Sequence, residues 1–204
     1  SPLGEEQAEE AAAHLAGAGI TGVVTSDLVR ARRTGEIVAD VLGLGAAVVC
    51  PGLREYDVGQ WSGLTKPEIE DRWPGQQLEW FQGRLATTPG GEGRVHFARR
   101  VMDAVLGVGA AAAPGAVLVV VTHGGVIRVL ERATGASPVP IANLSGRWFE
   151  LADGDPTGGD PADEGTADPA AGDARRVDGA TLRLRAGEPL SLVGPDHRTA
   201  SPSA

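Results

Sequence analysis

Apolar side chains near the start of the chain recur at helical spacing: Ala8, Ala11, Ala12 and Leu15 fall on one stripe. Ser1 and Pro2 suit the N-cap and first position of that helix. Glu5, Glu6, Glu9 and Glu10 suit the positive end of its dipole, and Gly17 and Gly19 stop it. The run ITGVVTS, residues 20–26, predicts a short buried strand. Ser26 then stands as cap to a second helix over 28–42, with Leu28, Ala31, Ile37, Val38, Val41 and Leu42 facing inward and Gly43 ending it. AAVVC, residues 46–50, predicts another short strand.

The pattern turns irregular over 51–93, which holds three of the four Trp. Loops this long inside a domain are usually functional, so this stretch is expected to form a partly helical lid over a site. Helical periodicity returns over 94–113 through Ala98, Val101, Met102, Val105 and Leu106. Residues 117–121 are an unbroken, mostly β-branched run, which predicts a strand covered on both faces and hence a parallel sheet with helices packed on it. Residues 126–133 read as helix, and the alternation of helices and strands predicts a layered α/β fold.

Further on, SGRWFEL (145–151) and the alternating ATLRLR (180–185) predict an antiparallel hairpin at a sheet edge. Between them, residues 152–174 are mostly Asp, Gly, Pro and Ala with too little apolar surface to offset ordering, so they are expected to be disordered. The chain divides accordingly into a domain over 1–151, the acidic insert over 152–174, an edge strand over 175–194 that completes the domain, and a frayed tail over 195–204.

A length of 204 residues suits one domain with a substantial core. The net charge of −9 belongs mainly to the insert, whose seven carboxylates have no Lys or Arg beside them. No basic surface for nucleic acid is implied. Arg outnumbers Lys 17 to 1, which favours fork-shaped contacts with oxyanions. The single cysteine, Cys50, excludes an internal disulfide and fits a reduced cytosol. No run of about 18 apolar residues is present to span a bilayer, and the first residues are acidic rather than basic and apolar, so the expectation is a cytoplasmic protein without a signal peptide.

The strand at 117–121 ends in Thr122, His123, Gly124 and Gly125 before the next helix. In open α/β sheets ligands bind beyond the carboxyl ends of the strands, where helix-start amides can hold an anion. His123 is therefore either a site side chain or a core histidine bonded to a neighbouring loop.

Four stretches settle the direction: SDLVRARRTGE (26–36), LREYDVGQWSGLT (53–65), PGGEG (89–93) and VVVTHGGVIR (119–128). In this order and spacing they resemble the motifs of the histidine phosphatase superfamily, with its phosphoglycerate mutase-like fold, and the opening SPLGEEQA resembles that family's helix start. The likeness runs over 1–151. It implies a three-layer α/β/α sheet and phosphoryl transfer through a phosphohistidine, with no metal and no cofactor. Carried over by this resemblance, Arg30 grips the phosphate, as its fork can meet two oxygens at once. Glu55 is the proton donor to the departing alkoxide. His123 is the second histidine, which contacts the phosphoryl group, and Gly124 offers a backbone amide with room for close approach. Glu92 lies where the family commonly has Gly-Glu-Ser, but Gly93 replaces the serine, and Glu92 is expected to be structural or merely exposed. His14, His96 and His197 have no motif around them.

The family's nucleophile lies in an Arg-His-Gly motif at the end of a first, central strand, and this sequence contains no such motif. The expectation is that the strand lies upstream of a fragment and that the chain as given is inactive. A pseudoenzyme that binds a phosphate or sugar phosphate, or a strand supplied by another chain, would read alike. The implied activity is a phosphomonoester hydrolase acting on a small phosphorylated metabolite. The separation of 68 positions from Glu55 to His123 resembles the shorter phosphatase branch rather than the phosphoglycerate mutases. The lid, 61–80, is expected to set the substrate.

Overall fold

Ser1 Oγ accepts the Gly4 N–H at 3.3 Å, and the chain enters its first helix there, α1 (Pro2–Leu15). The computed structural model describes residues 1–153, 175–177 and 180–191. All four residues of the expected stripe, Ala8, Ala11, Ala12 and Leu15, are buried in α1. The sheet beside it begins with β1 (Gly22–Thr25), flanked in parallel by β2 (Val48–Val49) and β3 (Leu118–Val121), in the order β2-β1-β3.

The two-residue period of these strands separates the layers. On one face Val23, with Val119 and Val121, packs against Ala12 and Leu15 of α1 and against Val38 and Ala39 of α2 (Val29–Val41). On the other, Val24 and Leu118 meet Phe97, Ala98, Val101 and Met102 of α5 (Arg94–Ala111) and Val126, Val129 and Leu130 of α6 (Gly124–Ala133). The architecture is thus the expected three-layer α/β/α fold.

Three local expectations need correction. The strand covered on both faces is β1 rather than β3: Val120 is 39% exposed, and both valines of β2 are exposed. An apolar run states that a strand is buried somewhere but not which edge it occupies, and among the described residues β3 pairs only with β1. Helix α2 starts at Val29 with Leu28 as its N-cap, so Ser26 is not the capping residue. Val41 is exposed, and the inner face of α2 is Ala31, Gly35, Ile37, Val38 and Ala39. Gly35 explains the shift, because a Cβ there would lie 2.9 Å from Thr25 Cβ. Its absence lets α2 settle directly on β1.

Residues 51–93 are partly helical, as expected. They contain 3-10 turns at Pro51–Leu53 and Gly59–Trp61, then α3 (Lys66–Arg72), begun by a capping box between Thr65 and Glu68, and α4 (Gln76–Phe81). Aromatic contacts tie the segment to α5: the Tyr56 ring lies 4.8 Å from Trp80 and 5.0 Å from Phe97, and the Arg94 guanidinium stacks 3.6 Å over Trp80.

The expected antiparallel pairing forms, but as a sheet of its own. β4 (Ser145–Asp153) pairs with β6 (Ala180–Ser191), which also pairs with β5 (Arg175–Val177). It does not extend the parallel sheet, since no described strand bridges β3 and β4. β4 also runs through 152 and 153, the first two positions assigned to the insert. Phe149 seats the second sheet on the α5–α6 core. Glu131 of α6, 1% exposed, anchors it by charge: its carboxylate lies 2.6 Å from Arg128 and 3.4 Å from Arg147 of β4. The rest of the acidic insert and the tail beyond 191 lie outside the described residues. No helix among the described residues is long and apolar enough to cross a membrane.

Candidate active site

Two parallel strands end side by side and deliver polar residues to one place. β1 runs into Ser26 and, at the second residue of α2, Arg30; β3 runs into Thr122 and His123 at the start of α6. His123, 8% exposed, has both ring nitrogens engaged. Arg30 Nη2 lies 3.2 Å from Nδ1, and Ser26 Oγ lies 2.9 Å from Nε2. Ser26 Oγ also accepts the Leu28 N–H at 3.3 Å. The two readings of His123 therefore merge, since it is a buried, satisfied histidine whose partners are the polar groups at the strand ends. Burial lowers its pKa, and the Arg30 guanidinium lowers it further against the weaker opposing pull of Glu55 and Asp27.

Glu55 arrives on the loop after the first 3-10 turn. Its Oε1 accepts the N–H of Tyr56 at 2.8 Å, and its Oε2 accepts the N–H of Gly125 at 3.0 Å. The carboxyl group thus sits at the amino end of α6, held by one loop amide and one helix-start amide. Close approach to α6 is allowed at Gly125, where a Cβ would lie 2.1 Å from Glu55 Oε1. At Gly124 an added Cβ would meet nothing within 4 Å. The structure therefore brings Arg30, Glu55 and His123 to one site, with Gly124 next to His123 as the first residue of α6.

The Glu55 loop is held from behind. Arg100 of α5 donates through Nη1 to the carbonyls of Gly52 (2.8 Å) and Arg54 (3.0 Å), and through Nε and Nη2 to both oxygens of Glu92 (2.9 and 2.7 Å). Tyr56 OH donates to the Glu92 carbonyl, and Glu92 N–H donates to the Asp57 carbonyl at 2.8 Å. Glu92 is therefore structural, and its side chain is only 10% exposed. Burial pushes its carboxyl up, but Arg100 and His96 outweigh that and hold it below the usual range. Thr122 Oγ1 adds a bond to the Leu53 carbonyl at 2.8 Å. At the rim, Arg54 forks onto Asp27 through Nε at 3.0 Å and through a second contact from Nη2. Arg54 holds the Asp27 carboxyl below its ordinary pKa.

The remaining histidines do not converge on this place. His14 Nδ1 meets the Glu10 carbonyl at 2.8 Å and His96 meets Glu92 at 2.9 Å, both on helix surfaces, and His197 lies outside the described residues. Among the described residues no group of three or more His, Cys, Asp or Glu side chains could hold a metal ion.

Sequence reasoning missed Ser26 as a partner of His123, Gly125 as the seat of Glu55, and Arg100 and Glu92 as the brace. Ser26 and Gly125 lie inside recognised motifs, yet a motif does not state which of its members touch. Arg100 had no local signal, because its partners are 8 to 48 positions away.

A model of the histidine phosphatase superfamily (branch 1) matches residues 1–157. A glucosyl-3-phosphoglycerate phosphatase of Mycolicibacterium vanbaalenii is 35% identical over 173 residues, covering 79% of this chain and 76% of that protein. A probable phosphoglycerate mutase of Yersinia enterocolitica is 34% identical over 135 residues, covering 61% and 59%. Among solved structures, the native mycobacterial glucosyl-3-phosphoglycerate phosphatase superposes with a TM-score of 0.57 at 32% identity, over 75% of this chain and 77% of that one. Its complex with inorganic phosphate gives 0.56 at 34% identity, over 71% and 72%.

Proposed function

The chain belongs to the histidine phosphatase superfamily, and on that premise we propose that it is the greater part of a phosphomonoester hydrolase that works through a phosphohistidine. The observation that carries this reading is the convergence of Arg30, His123 and Glu55 at the ends of β1 and β3, with His123 bonded to Arg30 and Glu55 seated on α6.

In this reading the Arg30 fork and the Gly124 amide at the start of α6 hold the phosphoryl oxygens, where charge builds up in the transition state. His123 lies against the same group. A histidine nitrogen attacks phosphorus as the P–O bond to the alcohol breaks, and protonated Glu55 gives its proton to the departing oxygen. Water then cleaves the P–N bond, with Glu55 taking the proton back. No Arg-His-Gly motif, the family's place for the attacking histidine, occurs in the 204 residues. It is assigned to a strand upstream of Ser1, and the side of β3 away from β1, which bears no described strand, is the edge such a strand would pair with. The complexes of the mycobacterial phosphatase with inorganic phosphate and with VO3 support a phosphoryl site of this kind. The names of the relatives make a sugar-linked phosphoglycerate the first substrate to try.

The test is hydrolysis of a chromogenic phosphomonoester by the 204-residue chain beside a chain extended upstream through its reading frame. Activity in the extended chain alone is expected. A folded extended chain inactive on a broad phosphoester panel overturns the reading. The missing Arg-His-Gly motif favours one second reading, a binding protein that holds phosphate or a sugar phosphate without hydrolysing it; measurable phosphate affinity with no turnover in either chain would select it. Mutase-type transfer between phosphoglycerates is the third possibility, and product analysis distinguishes it from hydrolysis.

A further inference from the structure

Ser26 reads in the sequence as a helix cap, yet α2 begins three residues later and the serine side chain is turned to a different use. Ser26 is 0% exposed at the end of β1, and its Oγ lies 2.9 Å from Nε2 of a histidine 97 positions away. The other ring nitrogen, Nδ1, faces Arg30 Nη2 at 3.2 Å. A guanidinium has five donors and no acceptor, so the nitrogen that it meets must present a lone pair. A neutral imidazole carries its single proton on the other nitrogen, which here is Nε2. That proton is given to Ser26 Oγ. The same oxygen takes the Leu28 N–H at 3.3 Å, so two donors from two elements fix it in place.

We propose that Ser26 is a positioning residue: it accepts the Nε2–H of His123, holds the ring as the Nε2–H tautomer, and thereby keeps Nδ1 aimed at Arg30 and at the phosphoryl group that Arg30 would hold. Without the serine oxygen, nothing described on the Nε2 side favours a proton there. The ring could then turn about its χ2 or move its proton to Nδ1, where it would meet the Arg30 donors head-on. The inference about tautomer stands on the geometry alone, and only its consequence for turnover rests on the function proposed above.

The primary test reads the ring directly. Long-range 1H–15N correlation spectra of the 204-residue chain, with histidine labelled and His123 assigned by its loss in His123→Gln, report which nitrogen bears the proton. The wild-type chain is expected to show His123 as the Nε2–H tautomer. Ser26→Thr, which keeps the hydroxyl, should preserve it, and Ser26→Ala should give a mixture or the Nδ1–H form. Circular dichroism checks that each variant is folded; if the alanine variant is not, Ser26→Cys, a weaker acceptor of similar size, takes its place with the same expected shift. A wild-type Nδ1–H tautomer, or a folded Ser26→Ala or Ser26→Cys chain with the Nε2–H form unchanged, overturns the proposal. In the upstream-extended chain Ser26→Ala should lower kcat by about tenfold, the equivalent of one orienting hydrogen bond, with KM changed less and with rescue by Ser26→Thr. Absence of any phosphatase activity would sink the hydrolase reading while leaving the tautomer result to stand or fall by itself.

Discussion

Replacing Gly125 by alanine puts the role of Glu55 to the sharpest trial. The new methyl group would lie 2.1 Å from Glu55 Oε1 and 3.0 Å from its Cδ, far inside van der Waals contact, so the carboxylate has to leave its seat. Its departure removes the Gly125 N–H···Oε2 bond of 3.0 Å. A hydrogen bond to a charged group contributes about 1.5–3 kcal/mol, and against that alanine is favoured over glycine within a helix by about 1 kcal/mol. The expected net destabilisation is roughly 0.5–2 kcal/mol, small enough for the variant to fold. The effect on turnover should be much larger and should depend on the leaving group. General acid catalysis contributes about 10²–10⁴-fold where the departing oxygen needs a proton. In the upstream-extended chain, kcat/KM for an alkyl phosphomonoester should therefore fall by about 100-fold or more. Hydrolysis of p-nitrophenyl phosphate, whose leaving group is stable as an anion, should fall by less than about tenfold. Equal losses on both substrates would mean general damage to the site, and no loss on either would mean that Glu55 is not the acid.

Other consequences can be measured on the 204-residue chain itself. Glu131→Ala strands the buried Arg147, whose side chain is 8% exposed, and should lower the urea unfolding free energy by about 3–5 kcal/mol; a loss under about 1 kcal/mol would refute the anchoring role. His123 has a depressed pKa, so its contribution is complete above the unfolded value of about 6.5 and is lost as pH falls below that towards the folded value. Stability should therefore begin to drop as pH falls through about 6.5, and His123→Gln should flatten that slope in pH-dependent unfolding. Glu92 is likewise held below its ordinary pKa of 4.5, so the stability it contributes is present above that pH and fades as pH falls through the folded value. Glu92→Gln should remove this acid-limb dependence and accelerate amide exchange over 52–57, and unchanged exchange there would argue against the brace.

What the sequence made legible was whatever depends on short-range pattern. The stripe of α1, the helices α5 and α6, and the strand identities of β1 and β3 follow from periodicity and from local stop signals such as Gly17 and Gly43. The motif order also pointed to Arg30, Glu55 and His123. What failed depends on distant packing. Val41 looks like a core residue of α2, yet it is exposed, and the close seat of Gly35 on Thr25 is a contact that periodicity does not reveal. Val120 looks as buried as Val24, yet β3 has a described strand on one side only. The need for a glycine at Gly125 was likewise invisible, because only the distant Glu55 carboxylate seated against it forbids a side chain there.

The contacts that make the site span long stretches of chain: 97 positions from Ser26 to His123, 93 from Arg30 to His123, and 70 from Glu55 to Gly125. Closing such loops exacts its entropy before any of these bonds can form, so the site should assemble late in folding, after β1 and β3 have paired. No excised piece that stops short of α6 could retain part of it. An oxyanion held there would bind the native state alone, and its affinity would be added to the stability of the whole parallel sheet. Inorganic phosphate would then slow global unfolding, including amide exchange in α1 and β2, as much as it orders the side chains it touches.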